Sequence, residues 1–453
     1  MQAGRDPEAD TNMGTGPSGT ALFTDHYELT MLQGALQSGT VDRRAIFEVF
    51  ARHLPQGRRY GVVAGTNRFL DALEHFRFDR ETLDYLYTNR VVDERTCEWL
   101  ASYRFSGSIY GYAEGECYFP GSPVLVVEAS FGEAVLLETL ALSILNHDCA
   151  IASAASRMVS AAGQRPLIEM GTRRTHEEAA VASARAAYLT GFSSTSNLRA
   201  GQRYGIPTAG TSAHSFTLLH DSERHAFRAQ IEALGKGTTL LVDTYDVARA
   251  VRTGVELAGP ELGAVRIDSG DLTQLAQQVR EQLDELGCTG THVVLTGDLD
   301  EHAIAALAVA PVSGYGVGTA LVTGSGAPTA SFVYKLVARA QSADPKDPLR
   351  PVAKRSVGKP SRGGRKWPVR HRDDQGTAVT EMLYNSEPRV GPHDRPLLTT
   401  LVSEGAIVGR TSLAEAREQH RRSLAELPPT ALQLSRGEPP IPTIFEDDEG
   451  SGA

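Results

Sequence analysis

Along the chain, short apolar runs alternate with longer stretches in which apolar residues recur every three to four positions, and between residues 165 and 325 this alternation is regular. Runs at 165–170, 191–194, 206–210, 238–242, 264–267, 292–295 and 313–317 each read as a buried strand. Helix-like patterns follow at 177–189, 197–204, 222–234, 247–255, 272–286, 301–307 and from Val322 onward. Seven strand candidates, each followed by a helix, predict parallel βα units. No dinucleotide-type glycine loop follows the first strand, which favours closure into an irregular (β/α) barrel of about seven parallel strands over an open sheet. In either architecture, ligands bind at the C-terminal ends of the strands.

Outside this region the pattern is mixed. Residues 21–130 read as an α+β domain, with helices at 27–36 and 61–73 and strands at 44–50, 107–112 and 124–128. The barrel is expected over 131–340. Residues 341–435 hold a basic, Gly/Pro/Ser-rich loop carrying Lys354, Arg355, Lys359, Arg362, Arg365 and Lys366, then strand and helix signals at 379–424 that predict a return to the N-terminal domain. The basic loop reads equally as a flexible connection or an anion-binding segment. Residues 1–20 and the acidic 436–453 lack periodic apolar content and read as mobile tails.

With 453 residues, 41% of them hydrophobic, the chain can bury two domain cores. A net charge of -10 argues against general binding to nucleic acid or anionic membrane, but leaves room for a local basic site. Cys97, Cys117, Cys149 and Cys288 are too scattered for a disulfide framework or a paired-cysteine metal site, and read as reduced thiols. The N-terminal residues have no secretory apolar segment, and no uninterrupted apolar run approaches the about 20 residues of a membrane helix. A soluble cytoplasmic protein is expected.

Polar residues with chemical potential collect at the strand ends. Gly316-Val-Gly-Thr319 would let backbone N–H groups approach a phosphate, although such glycines also serve as plain turn residues. Arg266 and Asp268 share one side of their strand, because side chains alternate. A carboxylate there needs a cation or donors, whereas Asp271 suits a helix N-cap. Asp243 and Asp246 close another strand, and Gly297-Asp298 a third. Arg173 and Arg174 offer fork-shaped donors for carboxylate or phosphate, with a surface ion pair the alternative for one of them. His214, in Gly210-Thr-Ser-Ala-His-Ser-Phe216, could be a base, a ligand, a nucleophile or a core histidine. No second His or Cys gives it zinc spacing, and no Gly-x-Ser-x-Gly elbow marks a hydrolase.

Six segments in this order resemble the nicotinate phosphoribosyltransferase family of type II phosphoribosyltransferases. They are Thr24-Asp-His-Tyr-Glu-Leu-Thr-Met31, Glu169-Met-Gly-Thr-Arg-Arg174, Gly210–Phe216, Val242-Asp-Thr-Tyr-Asp246, Val265-Arg-Ile-Asp-Ser-Gly-Asp271 and Tyr315-Gly-Val-Gly-Thr319. The resemblance spans residues 22–332 and extends less securely to Arg370. It implies transfer of a phosphoribosyl group from 5-phosphoribosyl 1-diphosphate to nicotinate, coupled to ATP hydrolysis through a phosphorylated His214, as a step of NAD salvage.

By the same resemblance, Asp243 and Asp268 face Mg²⁺ and the ribosyl diphosphate, and Asp298 belongs to the substrate pocket. Gly318 and Thr319 hold the 5-phosphate, Arg173 and Arg266 line the nicotinate and phosphate pocket, and Thr211 sits beside it. Tyr27 matches a tyrosine that reaches across a homodimer interface to stack on the pyridine ring. The basic stretch from Lys354 to Lys366 matches only loosely a segment that approaches ATP or diphosphate. The region Gly191-Phe-Ser-Ser-Thr-Ser-Asn197 carries hydroxyls and no acid, which favours nicotinate over nicotinamide.

Rival readings are transfer to nicotinamide or quinolinate, a non-catalytic metabolite sensor, and a phosphosugar lyase or isomerase using Glu169 as base. The joint presence of His214, Asp243 and Asp268 speaks against a sensor, and no strand-end lysine supports the lyase.

Overall fold

The computed structural model describes residues 19–354 and 362–446. Its parallel sheet contains Leu167–Glu169, Ser194–Thr195, Thr239–Leu241, Ala264–Ile267, His292–Leu295 and Gly314–Val317. The strands lie in the order 194–195, 167–169, 314–317, 292–295, 264–267, 239–241. The last strand in sequence therefore pairs with the first, as a barrel requires: Tyr315 is in register with Leu167 and Val317 with Glu169.

The seventh strand expected at 206–210 is reduced to a single parallel bridge between Thr208 and Thr195. Pro207 has no N–H to donate and Gly210 leaves the extended path without a side chain to pack, so the run does not continue a ladder. No strand pairing joins Thr208 to Thr239–Leu241 among the described residues. The expected seven-strand barrel is thus a curled sheet of six strands and one bridge, with one seam left unstitched.

The N-terminal domain is built on a seven-stranded antiparallel sheet in the order Arg350–Pro351, Phe332–Arg339, Arg44–Ala51, Leu125–Ser130, Ser108–Tyr112, Leu398–Ser403, Ala406–Ile407. Phe332–Arg339 was expected inside the barrel region but pairs with Arg44–Ala51, so the chain leaves the parallel sheet before residue 332. The helical pattern from Val322 onward yields only the turn Thr319–Val322, because Gly324 (φ 61) and Ser325 (φ 50) break it. The helix expected at 61–73 is likewise split. Gly61–Val62 is a strand, Gly65 turns the chain at φ 90, and the helix is Thr66–Glu74.

A small third sheet joins Arg395–Pro396, Trp367–Arg372, Ala378–Tyr384 and Thr443–Phe445. Residues 436–446 therefore do not belong to a mobile tail. Met382 pairs with Ile444 and Ile441 is buried, so a few apolar side chains suffice to dock a segment whose composition is otherwise polar. Residues 1–18 and 447–453, also read as tails, lie outside the described residues.

The central element is the helix Glu138–Ala162, unassigned from the sequence because its apolar and small residues surround it and leave no single stripe. Leu140, Ala141, Leu145 and Cys149 pack into the core of the N-terminal domain. Ile151, Ala152, Ala155, Met158 and Ala162 pack into the core under the parallel sheet. With the turn before it, Phe131–Ala162 is the one stretch among the described residues long and apolar enough to cross a membrane. Here it is a core element carrying buried Asp148 paired with Arg68 (2.7 Å) and buried Arg157 paired with Glu301 (3.1 Å). All four cysteines are free thiols.

Candidate active site

At the C-terminal end of the parallel sheet lies a cavity of about 500 Å³. Arg173, Thr211, His214, Arg266, Asp268, Asp298, Gly318 and Thr319 all line it, contributed by five separate strand-end loops. A larger cleft of about 830 Å³ between the 52–58 loop and the 436–443 segment receives none of these strand-end residues.

Arg266, within Ala264–Ile267, organises the floor. Its Nε donates to Thr296 Oγ1 (2.9 Å), its Nη1 to Thr211 Oγ1 (2.8 Å) and to the Ser212 carbonyl (3.3 Å), and its Nη2 to Asp268 Oδ1 (2.7 Å). Most of its donors are therefore spent on tying three loops together. Asp268 Oδ1 also accepts from the Thr296 hydroxyl. Partial burial disfavours the charged carboxylate, but the Thr296 and Arg266 hydrogen bonds prevail, hold Asp268 below the usual carboxylate range and keep it ionised.

Asp243 stands just beyond Thr239–Leu241, with its side chain only 3% exposed. Its Oδ2 accepts from the Asp268 amide (2.9 Å) and the Ser269 hydroxyl (2.7 Å), so the two acidic strand ends are locked to each other. Its Oδ1 is buried without a hydrogen-bond partner. That oxygen lies 3.8 Å from Nε2 of His214. His214 opens the short helix His214–Leu219, and its Nδ1 lies 3.1 Å from the Thr244 hydroxyl.

Next to this floor, Gly297 (φ 103) and Asp298 (φ 47) turn the chain sharply after His292–Leu295. A Cβ on Gly297 would lie 2.1 Å from the Asp268 carbonyl oxygen, so only glycine lets the two loops meet. Arg173 and Arg174 sit on the turn Thr172–Arg174 at the cavity wall, exposed and in no ion pair among the described residues. They are the cations of the cavity not already committed to protein carboxylates.

Several polar residues flagged by the sequence have structural roles. Glu169 is fully buried, accepting from the Gly171 amide and the Thr195 hydroxyl, and burial raises its carboxyl. It is enclosed rather than presented to the cavity, which removes the candidate base of a lyase. Asp271 and Asp246 cap helices, accepting from Gln274 N (3.0 Å) and Arg249 N (2.8 Å). In the basic stretch, Lys366 is buried against Glu48 (2.7 Å), and Arg365 pairs with Glu128 and stacks on Trp367 (3.4 Å). Arg355 and Lys359 lie outside the described residues.

Tyr27 is not brought to this cavity. It is 45% exposed on the helix His26–Ser38, beside exposed Leu22, Phe23 and Met31. Burial of its phenolic end, and then Glu138 and Glu28, push its hydroxyl up to about 12. Sequence reasoning missed Thr244, Ser269 and Thr296, three hydroxyls that orient the acidic and imidazole groups. Each stands next to a residue already singled out (Asp243, Asp268 and Gly297), and that adjacency was the available signal.

The nicotinate phosphoribosyltransferase N-terminal domain model matches residues 22–146, and the nicotinate phosphoribosyltransferase family model matches residues 166–366. This chain belongs to the nicotinate phosphoribosyltransferase family. It is 58% identical over 434 residues to nicotinate phosphoribosyltransferase pncB1 of Mycobacterium tuberculosis, covering 93% of this chain and 94% of that one. It is 31% identical over 405 residues to the human nicotinate phosphoribosyltransferase, with 75% and 74% of the two chains covered. A crystal structure of human nicotinic acid phosphoribosyltransferase superposes with a TM-score of 0.79 at 26% identity, over 94% of this chain and 98% of that one. The nicotinate phosphoribosyltransferase match thus takes in both the antiparallel domain and the strand-end cavity.

Proposed function

We propose that this chain transfers the phosphoribosyl group of 5-phosphoribosyl 1-diphosphate to nicotinate, giving nicotinate mononucleotide and diphosphate, as a step of NAD salvage in the cytoplasm. The transfer is coupled to ATP hydrolysis through transient phosphorylation of His214. The observation that carries this reading is the convergence of His214, Asp268 and Arg173 on one cavity in a chain of this family, with Asp243, itself outside the cavity lining, locked to Asp268 and 3.8 Å from His214.

The pyridine nitrogen attacks the anomeric carbon as diphosphate departs, through a transition state with oxocarbenium character. The protein's task is to hold both partners in line and stabilise the leaving charge. Arg173 would meet the nicotinate carboxylate or a phosphate, while Gly318 and Thr319 receive the 5-phosphate. Asp298 would take part in holding the substrate. Ser196, from the stretch 191–197 that carries hydroxyls and no acid, lines the cavity with Thr211, which supports a carboxylate-bearing ring over nicotinamide.

Mg²⁺ fits the acidic end. The unpartnered Asp243 Oδ1 and the ionised Asp268 would hold it, and the bound ion would neutralise charge on the diphosphate. No group of three or more His, Cys, Asp or Glu that could hold a metal occurs among the described residues, so the substrate and water would complete its coordination.

We infer a homodimer with shared active sites from the match of Tyr27 to the family's tyrosine. Its exposed position, among Leu22, Phe23 and Met31, supports a surface that a second copy covers while this tyrosine enters the neighbouring cavity. The deciding experiment is steady-state release of diphosphate from 5-phosphoribosyl 1-diphosphate and Mg²⁺ with nicotinate, nicotinamide or quinolinate, with and without ATP. Nicotinate-selective turnover stimulated by ATP is expected. Equal rates with nicotinamide, or no response to ATP, would contradict the substrate or the coupling respectively.

A further inference from the structure

His214 stands where the parallel sheet is unstitched. The bridge at Thr208 ends before it, and Thr239–Leu241 on the far side of the seam has no partner there. Its side chain is 40% exposed, so packing alone does not fix the ring. What crosses the seam to the ring is a pair of side chains from one loop, Thr244 at Nδ1 (3.1 Å) and Asp243 at Nε2 (3.8 Å).

The chemistry of these two neighbours favours one tautomer. Asp243 has one oxygen committed to the Asp268 amide and Ser269, and the other buried with no hydrogen-bond partner. A buried carboxylate oxygen in that state demands a donor or a cation, and the ring nitrogen facing it is Nε2. A proton on Nε2 faces that carboxylate at 3.8 Å and leaves the oxygen a lone pair for a cation. The unprotonated Nδ1 then accepts from the Thr244 hydroxyl (3.1 Å).

We propose that Thr244 is the positioning residue of His214. Its hydroxyl holds the ring across the open seam, so that Nδ1 is the nitrogen presented to the terminal phosphoryl group of a nucleoside triphosphate. This rests on the reading that His214 is phosphorylated. In the step itself the Nδ1 lone pair forms a bond to the γ-phosphorus as the bond to the β,γ-bridging oxygen breaks. The nucleoside diphosphate departs with that electron pair. The Nε2 proton stays in place, and the positive charge that develops on the ring faces Asp243. Water later takes the phosphoryl group and restores the neutral ring. The Thr244 hydroxyl, displaced from Nδ1, is then free to donate to a phosphoryl oxygen.

The test compares Thr244→Val, which keeps the shape and loses the hydroxyl, with Thr244→Ser, which keeps the hydroxyl. The full-length protein is mixed with γ-labelled ATP and Mg²⁺, and incorporation into His214 is followed, with His214→Ala as the blank. Thr244→Val is expected to label about tenfold more slowly than wild type, the scale of one lost hydrogen bond in the transition state. Thr244→Ser is expected to label within about threefold of wild type, and the thermal midpoint of both variants to match wild type, as expected where one part-exposed hydroxyl is changed. The phosphorus-to-ring couplings in NMR should place the group on Nδ1. Labelling of Thr244→Val at the wild-type rate, or a phosphoryl group on Nε2, would overturn the role of Thr244 while leaving phosphorylation intact. No label on wild-type His214 would instead remove the phosphohistidine reading, and the proposal with it.

Discussion

Each charged side chain in the cavity is defined by what its neighbours leave free. Arg266 has spent most of its donors on Thr296, Thr211, Ser212 and Asp268, so it holds the loops around the cavity in place. Asp268 in turn depends on Arg266 and Thr296 to remain ionised. Replacing Asp268 with Asn removes the charge that pairs with Arg266 and, on the proposed function, would hold a cation. Affinity for the ribosyl diphosphate, measured calorimetrically with Mg²⁺, is expected to fall by about tenfold or more, since hydrogen bonds to charged groups contribute roughly 1.5–3 kcal/mol. Unchanged affinity would take Asp268 out of the binding site. At this scale the sequence was informative about charge and uninformative about satisfaction. His214, Asp243 and Asp268 stood out because such groups at strand ends need partners. Which partner each one takes is set by loops far apart in sequence, as with Arg266 and Thr211, or His214 and Thr244.

Among the elements, periodicity revealed the βα series because each strand is short, apolar and followed by an amphipathic helix. It failed in three places for distinct reasons. The Pro207 segment has strand composition but cannot sustain a ladder, and Gly65 divides what reads as one helix. The helix Glu138–Ala162 has no polar face because both sides of it are core. That last element joins the two domains, and Ile151 in it is fully buried. Ile151→Ala is expected to cost about 2–5 kcal/mol, and to do so with a single denaturation transition reported by both near-UV circular dichroism and ligand protection. Two separated transitions would show that the helix does not couple the cores. His420, on the helix Leu413–Ala425, tests the same packing by pH. Burial depresses its pKa to about 4, from an ordinary value of 6.5. The unfolded chain therefore binds a proton below pH 6.5 that the folded chain refuses until about 4, so stability is lost as pH falls through that window. Denaturation midpoints of wild type are expected to fall more steeply between pH 7 and 5 than those of His420→Gln, and parallel slopes would refute this.

In the whole molecule, the cavity has most of its machinery from one chain, while Tyr27 faces outward on a different domain. If Tyr27 of one subunit completes the site of the other, co-expressing Tyr27→Ala with His214→Ala gives mixed dimers in which both lesions fall on one site and the second site is intact. Random assortment then restores about a quarter of wild-type activity from two inactive parents, because half the dimers are mixed and each has one good site. No recovery in purified mixed dimers would mean that each chain works alone.

The antiparallel sheet places residues 44–51 between partners at 125–130 and 332–339, and its far edge is finished by residues 398–407. During synthesis the first domain to emerge is consequently among the last to be completed. Throughout that interval it presents open strand edges that could pair with another nascent chain. A message truncated after the parallel sheet would release a protein whose cavity-lining loops are all present and whose opening domain is still waiting for its own border.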